Sequence, residues 1–179
     1  SDWRVDTDYF RIDDVANLLL QTNLLDEQQI EFLQTAKPAG DVHSLHFRHS
    51  KNAQESAEYH LQARFEQLFT QPWRRLPGVE GLQGRFVADN RRGRLQLASG
   101  SAMLDFPRLF RQPLKLTRFL GALHWQDDGD SWRILSNELQ LDTDDIEVAA
   151  DLLLSLPKQS SVSPYLDLQA TFENGKAAS

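Results

Sequence analysis

After Gly40 the apolar residues of this chain recur at every second position, segment after segment, as far as Phe172. Tyr59, Leu61, Ala63 and Phe65 alternate with His60, Gln62, Arg64 and Glu66. The same alternation runs through Leu82/Gly84/Phe86, Leu95/Leu97, Leu104/Phe106, Phe119/Gly121/Leu123/Trp125 and Leu135/Asn137/Leu139/Leu141. It is longest in Ile146/Val148/Ala150/Leu152/Leu154/Leu156 and returns in Leu166/Leu168/Ala170/Phe172. A period of two sends successive side chains to opposite faces of a strand, so each segment carries one apolar and one polar face. At least eight strands are predicted, mostly joined by tight turns, which implies antiparallel order. Pro72, Pro77, Pro107, Pro113, Pro157 and Pro164 fall between strands, where a missing N–H is tolerated. Ten extended residues span about 33 Å, and the segment 145–156 exceeds that. Faces this long need a cover: a second sheet, barrel closure, the N-terminal helices or a bound apolar ligand.

One hairpin phrase occurs twice. Gly81-Leu82-Gln83-Gly84-Arg85-Phe86, a turn at Asp89–Gly93 and Arg94-Leu95-Gln96-Leu97 form the first copy. Phe119–Trp125, a turn at Asp127–Asp130 and Trp132-Arg133-Ile134-Leu135 form the second. Two arrangements fit: an array growing along one axis, or two similar hairpins within an ordinary sheet.

The first forty residues differ. Residues 2–9 alternate weakly, as in a short strand. Ile12, Val15, Leu18 and Leu19 mark a helix over 11–21. A second helix is predicted from Asp26 to Thr35, with Asp26 and Gln29 spaced as a capping box and Pro38 and Gly40 as its stop. The organisation read from this is a helical lead-in or cap with a possible short strand over 1–40, an antiparallel β-groove over 41–174 and a linker or tail over 175–179.

Charge is uneven although the net value is −7. Residues 1–60 hold −6, residues 61–120 hold +7 from ten Arg and one Lys against four acids, and residues 121–179 hold −8. Nucleic acid or anionic lipid headgroups could answer a basic stretch; so could Arg decorating the solvated face of a sheet. The cations are not interleaved with stacking aromatics on one face, so no nucleic-acid partner is expected. The start Ser1-Asp2-Trp3-Arg4 lacks the apolar core of a signal peptide, which suits a cytosolic protein or a piece of a longer one.

Chemistry finds little footing. The chain has no cysteine, no Gly-x-Ser-x-Gly elbow and no glycine-rich phosphate loop before a helix. His43, His46 and His49 are spaced by three, so on a regular strand His43 and His49 share a face and His46 points away, with His60 within reach across a hairpin. That spacing suits zinc poorly. Asp127, Asp128 and Asp130 lack the spacing of a calcium loop, and Asp142, Asp144, Asp145 and Glu147 read as a solvated junction. No enzyme, metal or cofactor is expected.

The run Gln71-Pro72-Trp73-Arg74-Arg75-Leu76-Pro77-Gly78-Val79-Glu80-Gly81-Leu82-Gln83-Gly84 resembles the YhdP branch of the AsmA-like proteins. Leu104-Asp105-Phe106-Pro107, Leu109-Phe110, Pro113-Leu114 and the hairpin Leu120–Trp125 with Trp132-Arg133-Ile134 are similar to it too. The resemblance implies an internal segment of a long, inner-membrane-anchored periplasmic protein of a Gram-negative bacterium. Such proteins fold a twisted antiparallel sheet into an open groove that carries phospholipid between the inner and outer membranes. The fold class expected is therefore mainly β: a long antiparallel sheet forming an open groove or partly closed barrel, with two short N-terminal helices.

Under that reading the acyl chains would lie on Tyr59, Leu61, Phe65, Leu82, Phe86, Leu95, Leu97, Leu104, Phe106, Leu123, Trp125, Leu139, Leu141, Val148, Leu152, Leu154, Leu166 and Leu168. Arg85, Arg91, Arg92, Arg94, Arg108 and Arg111 would meet headgroup phosphate at a rim. The partners implied are phospholipid and neighbouring β-groove segments of the same chain, with the membrane reached through other parts of the protein. A structural or adaptor β-domain with a self-filled core is the rival reading.

Overall fold

The computed structural model describes residues 2–51, 57–74, 76–107, 110–159 and 161–173. Most of the loop expected over 50–56, Arg108 and Leu109, and the tail 175–179 lie outside them. The elements in order are β1 (Trp3–Arg11), α1 (Ile12–Leu20), α2 (Glu27–Ala36), β2 (Ala39–Lys51), β3 (Ala57–Thr70), β4 (Gly78–Asp89), β5 (Arg92–Ser99), β6 (Ala102–Asp105), β7 (Leu114–Leu116), β8 (Arg118–Asp127), β9 (Ser131–Asp142), β10 (Glu147–Pro157) and β11 (Tyr165–Glu173).

All eleven strands belong to one antiparallel sheet. Its order is β1-β2-β3-β4-β5-β8-β9-β10-β11, with β6 paired to β4 and β7. β1 and β11 do not pair with each other, so the sheet is open. The first forty residues are more than a lead-in: β1 pairs with β2 from Trp3 to Arg11 and forms one edge of the sheet.

Local chemistry sets the helices. Asp26 accepts from the Gln29 N–H at 2.8 Å while the Gln29 side chain accepts from the Asp26 N–H at 3.0 Å, the reciprocal box its spacing predicts. Lys37 closes α2 in the left-handed region, and its N–H donates to the Leu33 carbonyl. α1 starts directly from β1 without a side-chain cap.

β6 and β7 continue β5 and β8 past a bend. Ser99 faces Phe119 in one ladder and Ala102 faces Leu116 in the other, so the register carries through. The bend falls at Gly100–Ser101 and Thr117, beside Gly81, which adopts φ +75° in β4. It is pinned by Arg118, whose Nε donates to Asp142 Oδ2 at 2.5 Å, and by the Thr117 N–H, which donates to the Asp142 carbonyl at 2.7 Å. Beyond the bend, Ala102, Leu104, Leu114 and Leu116 join Phe65, Leu82 and Leu97 in the buried core. The helices, the Trp73 turn and this extension all lie at one end of the sheet. The β4–β5 and β8–β9 turns lie at the other.

Candidate functional site

Register assigns the faces. Directly opposed residues of adjacent strands share a side, and one side is largely apolar from edge to edge. Crossing from β2 to β11, one row reads Val42, Phe65, Gly84, Leu97, Gly121, Leu139, Ala150 and Ala170. A neighbouring row holds Phe47, Leu61 and Ala88, then Gly93, Trp125, Ile134, Leu154 and Leu166. Between them lie Ala63, Phe86, Leu95 and Leu123, continuing through Ser136 to Leu152 and Leu168. Leu82, Phe119, Leu141, Val148 and Phe172 complete this inner face toward the helical end.

Of the eighteen residues proposed from sequence to line a groove, sixteen stand on this one face. Leu104 lies on the β6 extension, packed against the core. Phe106 lies past the end of β6, and its carbonyl accepts from the Phe110 N–H.

Burial along the face is graded. Leu97 is 4% exposed and Leu116 3%, whereas Leu168 on β11 is 58% exposed and Phe172 69%. The bend and the β6–β7 extension fill the face near the middle strands. Nothing among the described residues covers it at β11. At the opposite edge Trp3 packs on Phe47 with ring centroids 4.9 Å apart, and Phe47 on Tyr59 at 6.4 Å. Trp3, Val5 and Phe47 extend the face into β1 and β2; the weak alternation of residues 2–9 was the only sequence signal for Trp3 and Val5.

Bulges in β9 and β2 alter the faces that strict alternation predicts there. In β9 an extra residue at Asn137–Glu138 stands opposite Asp151, and both flanking ladders shift there. The inner set is therefore Ile134 and Ser136 with Leu139 and Leu141, while Leu135 turns outward beside His124. In β2 Ser44 adopts φ +53° and the ladder shifts between His43 and His46. This corrects the histidine geometry: His43 and His46 share the outer face, and His49 is the inward one, stacked on Trp3 at 5.5 Å. His46 Nδ1 lies 2.7 Å from Asp6 Oδ1, and that contact together with Arg4 holds the Asp6 carboxyl below its usual range. Among the described residues no group of three or more His, Asp or Glu side chains is placed to hold a metal ion.

The arginines expected at a rim are scattered. Arg85 lies mid-strand opposite Arg64 and Gln96, and Arg94 opposite Val87 and His124, so both stand on the outer face and not at an open edge. Arg94 lines an outer depression of about 450 Å³ with His60, His124 and Leu135. Arg91 lies in the β4–β5 turn and Arg92 opens β5 on the same outer side as Arg94; their N–H groups donate to Asp89 Oδ1 at 2.8 and 3.0 Å, and the Arg92 guanidinium pairs with Asp89 at 3.3 Å. Those bonds, the Arg91 one first, hold Asp89 below the usual carboxylate range. Arg111 is exposed in the β6–β7 connection, at the helical end of the sheet. Arg108 lies outside the described residues. The remaining cation of the Pro-Trp-Arg motif, Arg74, lies 4.5 Å over the Trp73 ring and pairs with Glu31 at 2.6 Å, so this corner is tied to α2.

No helix among the described residues is long and apolar enough to cross a membrane. A family model described as YhdP protein matches residues 1–179. No curated protein matches the chain, and no solved structure does.

Proposed function

The chain belongs to the YhdP family, a bacterial envelope family with a role related to lipid transport, and from that premise we propose that its inner face shields phospholipid acyl chains in transit between the inner and outer membranes. The observation that carries this reading is the largely apolar inner face of an open sheet, interrupted at Ser136 and His49 and left bare at β11. Burying each methylene of a chain on such a face contributes about 0.8 kcal/mol. Leucine, valine and phenylalanine side chains supply that without a specific polar contact, and many weak sites in series permit sliding. The exposed edges β1 and β11 suit pairing with neighbouring β-groove segments of the same protein, in the periplasm, with the membrane reached through its other parts. The headgroup remains in water, and Arg91 in the β4–β5 turn is the cation best placed to meet it.

Site-specific photo-crosslinking in living cells, in the full-length protein, tests this. Crosslinkers at Leu123, Leu152, Leu154 and Leu168 face inward; those at Ala122, Asp151, Leu153 and Gln169 face outward. Leu153 is the sharpest control because it is apolar and on the outer face. Phospholipid captured at the first set alone is the expected result. Capture at neither set, in folded protein, means that the face is ordinary core.

A further inference from the structure

Three glycines stand on the inner face, and each lies under a large side chain of an adjacent strand. A Cβ on Gly84 would come within 3.0 Å of Phe65 Cζ, and one on Gly121 within 2.9 Å of Leu139 Cδ2. At Gly93 the overlap is greatest: a Cβ would sit 2.0 Å from Trp125 Cζ2 and 2.3 Å from Cε2. Side chains of a strand ordinarily stand away from the sheet. Here the Trp125 ring instead lies over the bare backbone of Gly93, while Phe65 and Leu139 each bring one side-chain atom close above a glycine. The pairing is directly cross-strand for Phe65 with Gly84 and for Trp125 with Gly93.

We propose that Gly93 sets the depth of the inner face at the turn-ward end of β5 and β8. By giving the Trp125 ring a place to lie flat, it keeps the floor low there, so a linear hydrocarbon chain can pass over the ring without meeting it upright; Phe65 and Leu139, by contrast, are 7% and 8% exposed and belong to the buried part of the face. This rests on the lipid-carrying reading and adds a positioning role to it. Gly93 is the residue that can test it. Gly121 has φ +144°, and a Cβ on Gly84 would also meet the Gln96 carbonyl oxygen at 2.1 Å, so either substitution would disturb the backbone. At Gly93 the three nearest obstacles are all atoms of the Trp125 ring.

The experiment places photo-crosslinkers at Leu123, beside the ring, and at Leu168, four strands from Gly93, in the full-length protein in cells. Gly93→Ala should lose phospholipid capture at Leu123 and keep it at Leu168. Adding Trp125→Ala to that variant should restore capture at Leu123, since the obstructing ring is gone. Normal capture in Gly93→Ala overturns the inference and leaves the lipid reading standing. Failure of the added Trp125→Ala to restore capture at Leu123 also overturns it, because the raised ring is then not the obstruction. Absence of capture at both sites in the unsubstituted protein defeats the lipid reading, and the inference with it.

Discussion

Leu97→Ala should be the most costly single truncation on the inner face, for a reason specific to its neighbours. Leu97 is 4% exposed and belongs to the buried core. Its cross-strand partners on both sides are glycines, Gly84 and Gly121. Neither has a side chain that could lean into the vacated space, and Phe65 and Leu139 already lie over those glycines. Leu→Ala costs between about 2.7 and 5.0 kcal/mol according to how far a site collapses, so a site that cannot collapse belongs high in that range, at about 4 kcal/mol. With a urea slope of about 2 kcal/mol/M, the unfolding midpoint should fall by about 2 M. Leu168→Ala is the matched control on the same face: at 58% exposure it should cost less than about 1 kcal/mol. Urea titration of the 179-residue chain followed by tryptophan fluorescence measures both. Equal costs would refute the argument, because they would mean that the glycine-flanked site relaxes as freely as an exposed edge.

Asp26→Ala removes half of the capping box and should weaken α2 by about 1 kcal/mol, seen as faster amide exchange over Glu27–Ala36. Asp89 has a folded pKa below its unfolded value of about 3.9, so its stabilisation is present above that pH and is lost as pH falls through the lower folded value. Thermal unfolding between about pH 5 and 2 should therefore show a smaller acid loss in Asp89→Asn than in the unsubstituted chain. Leu168→Lys or Phe172→Lys places charge on the exposed face of the β11 edge and should reduce self-association of the isolated chain in sedimentation velocity, with little change in its unfolding midpoint.

The sequence by itself determined the period-two faces, the two helices and the capping box, because each depends on residues a few positions apart. Tyr59 through Phe65 and Val148 through Leu156 fall on the face that alternation assigns them, and the repeated hairpin is β4–β5 followed by β8–β9. The family was legible too, from motifs spread between Gln71 and Ile134. The tertiary structure alone decided what depends on pairing. It places the two hairpin copies side by side, so that Gly84 and Gly121 flank Leu97. It also inserts bulges at Ser44 and Asn137–Glu138 that exchange the faces of His46 and Leu135. A bulge is an agreement between two strands about which residue goes unpaired, and one strand's sequence does not record it. Exposure was decided in the same way: Leu97 and Leu168 share the same alternation and the same face. One is buried because β4, β8 and the bent β6–β7 extension surround it; the other stays exposed because, among the described residues, β11 is an edge strand of the sheet.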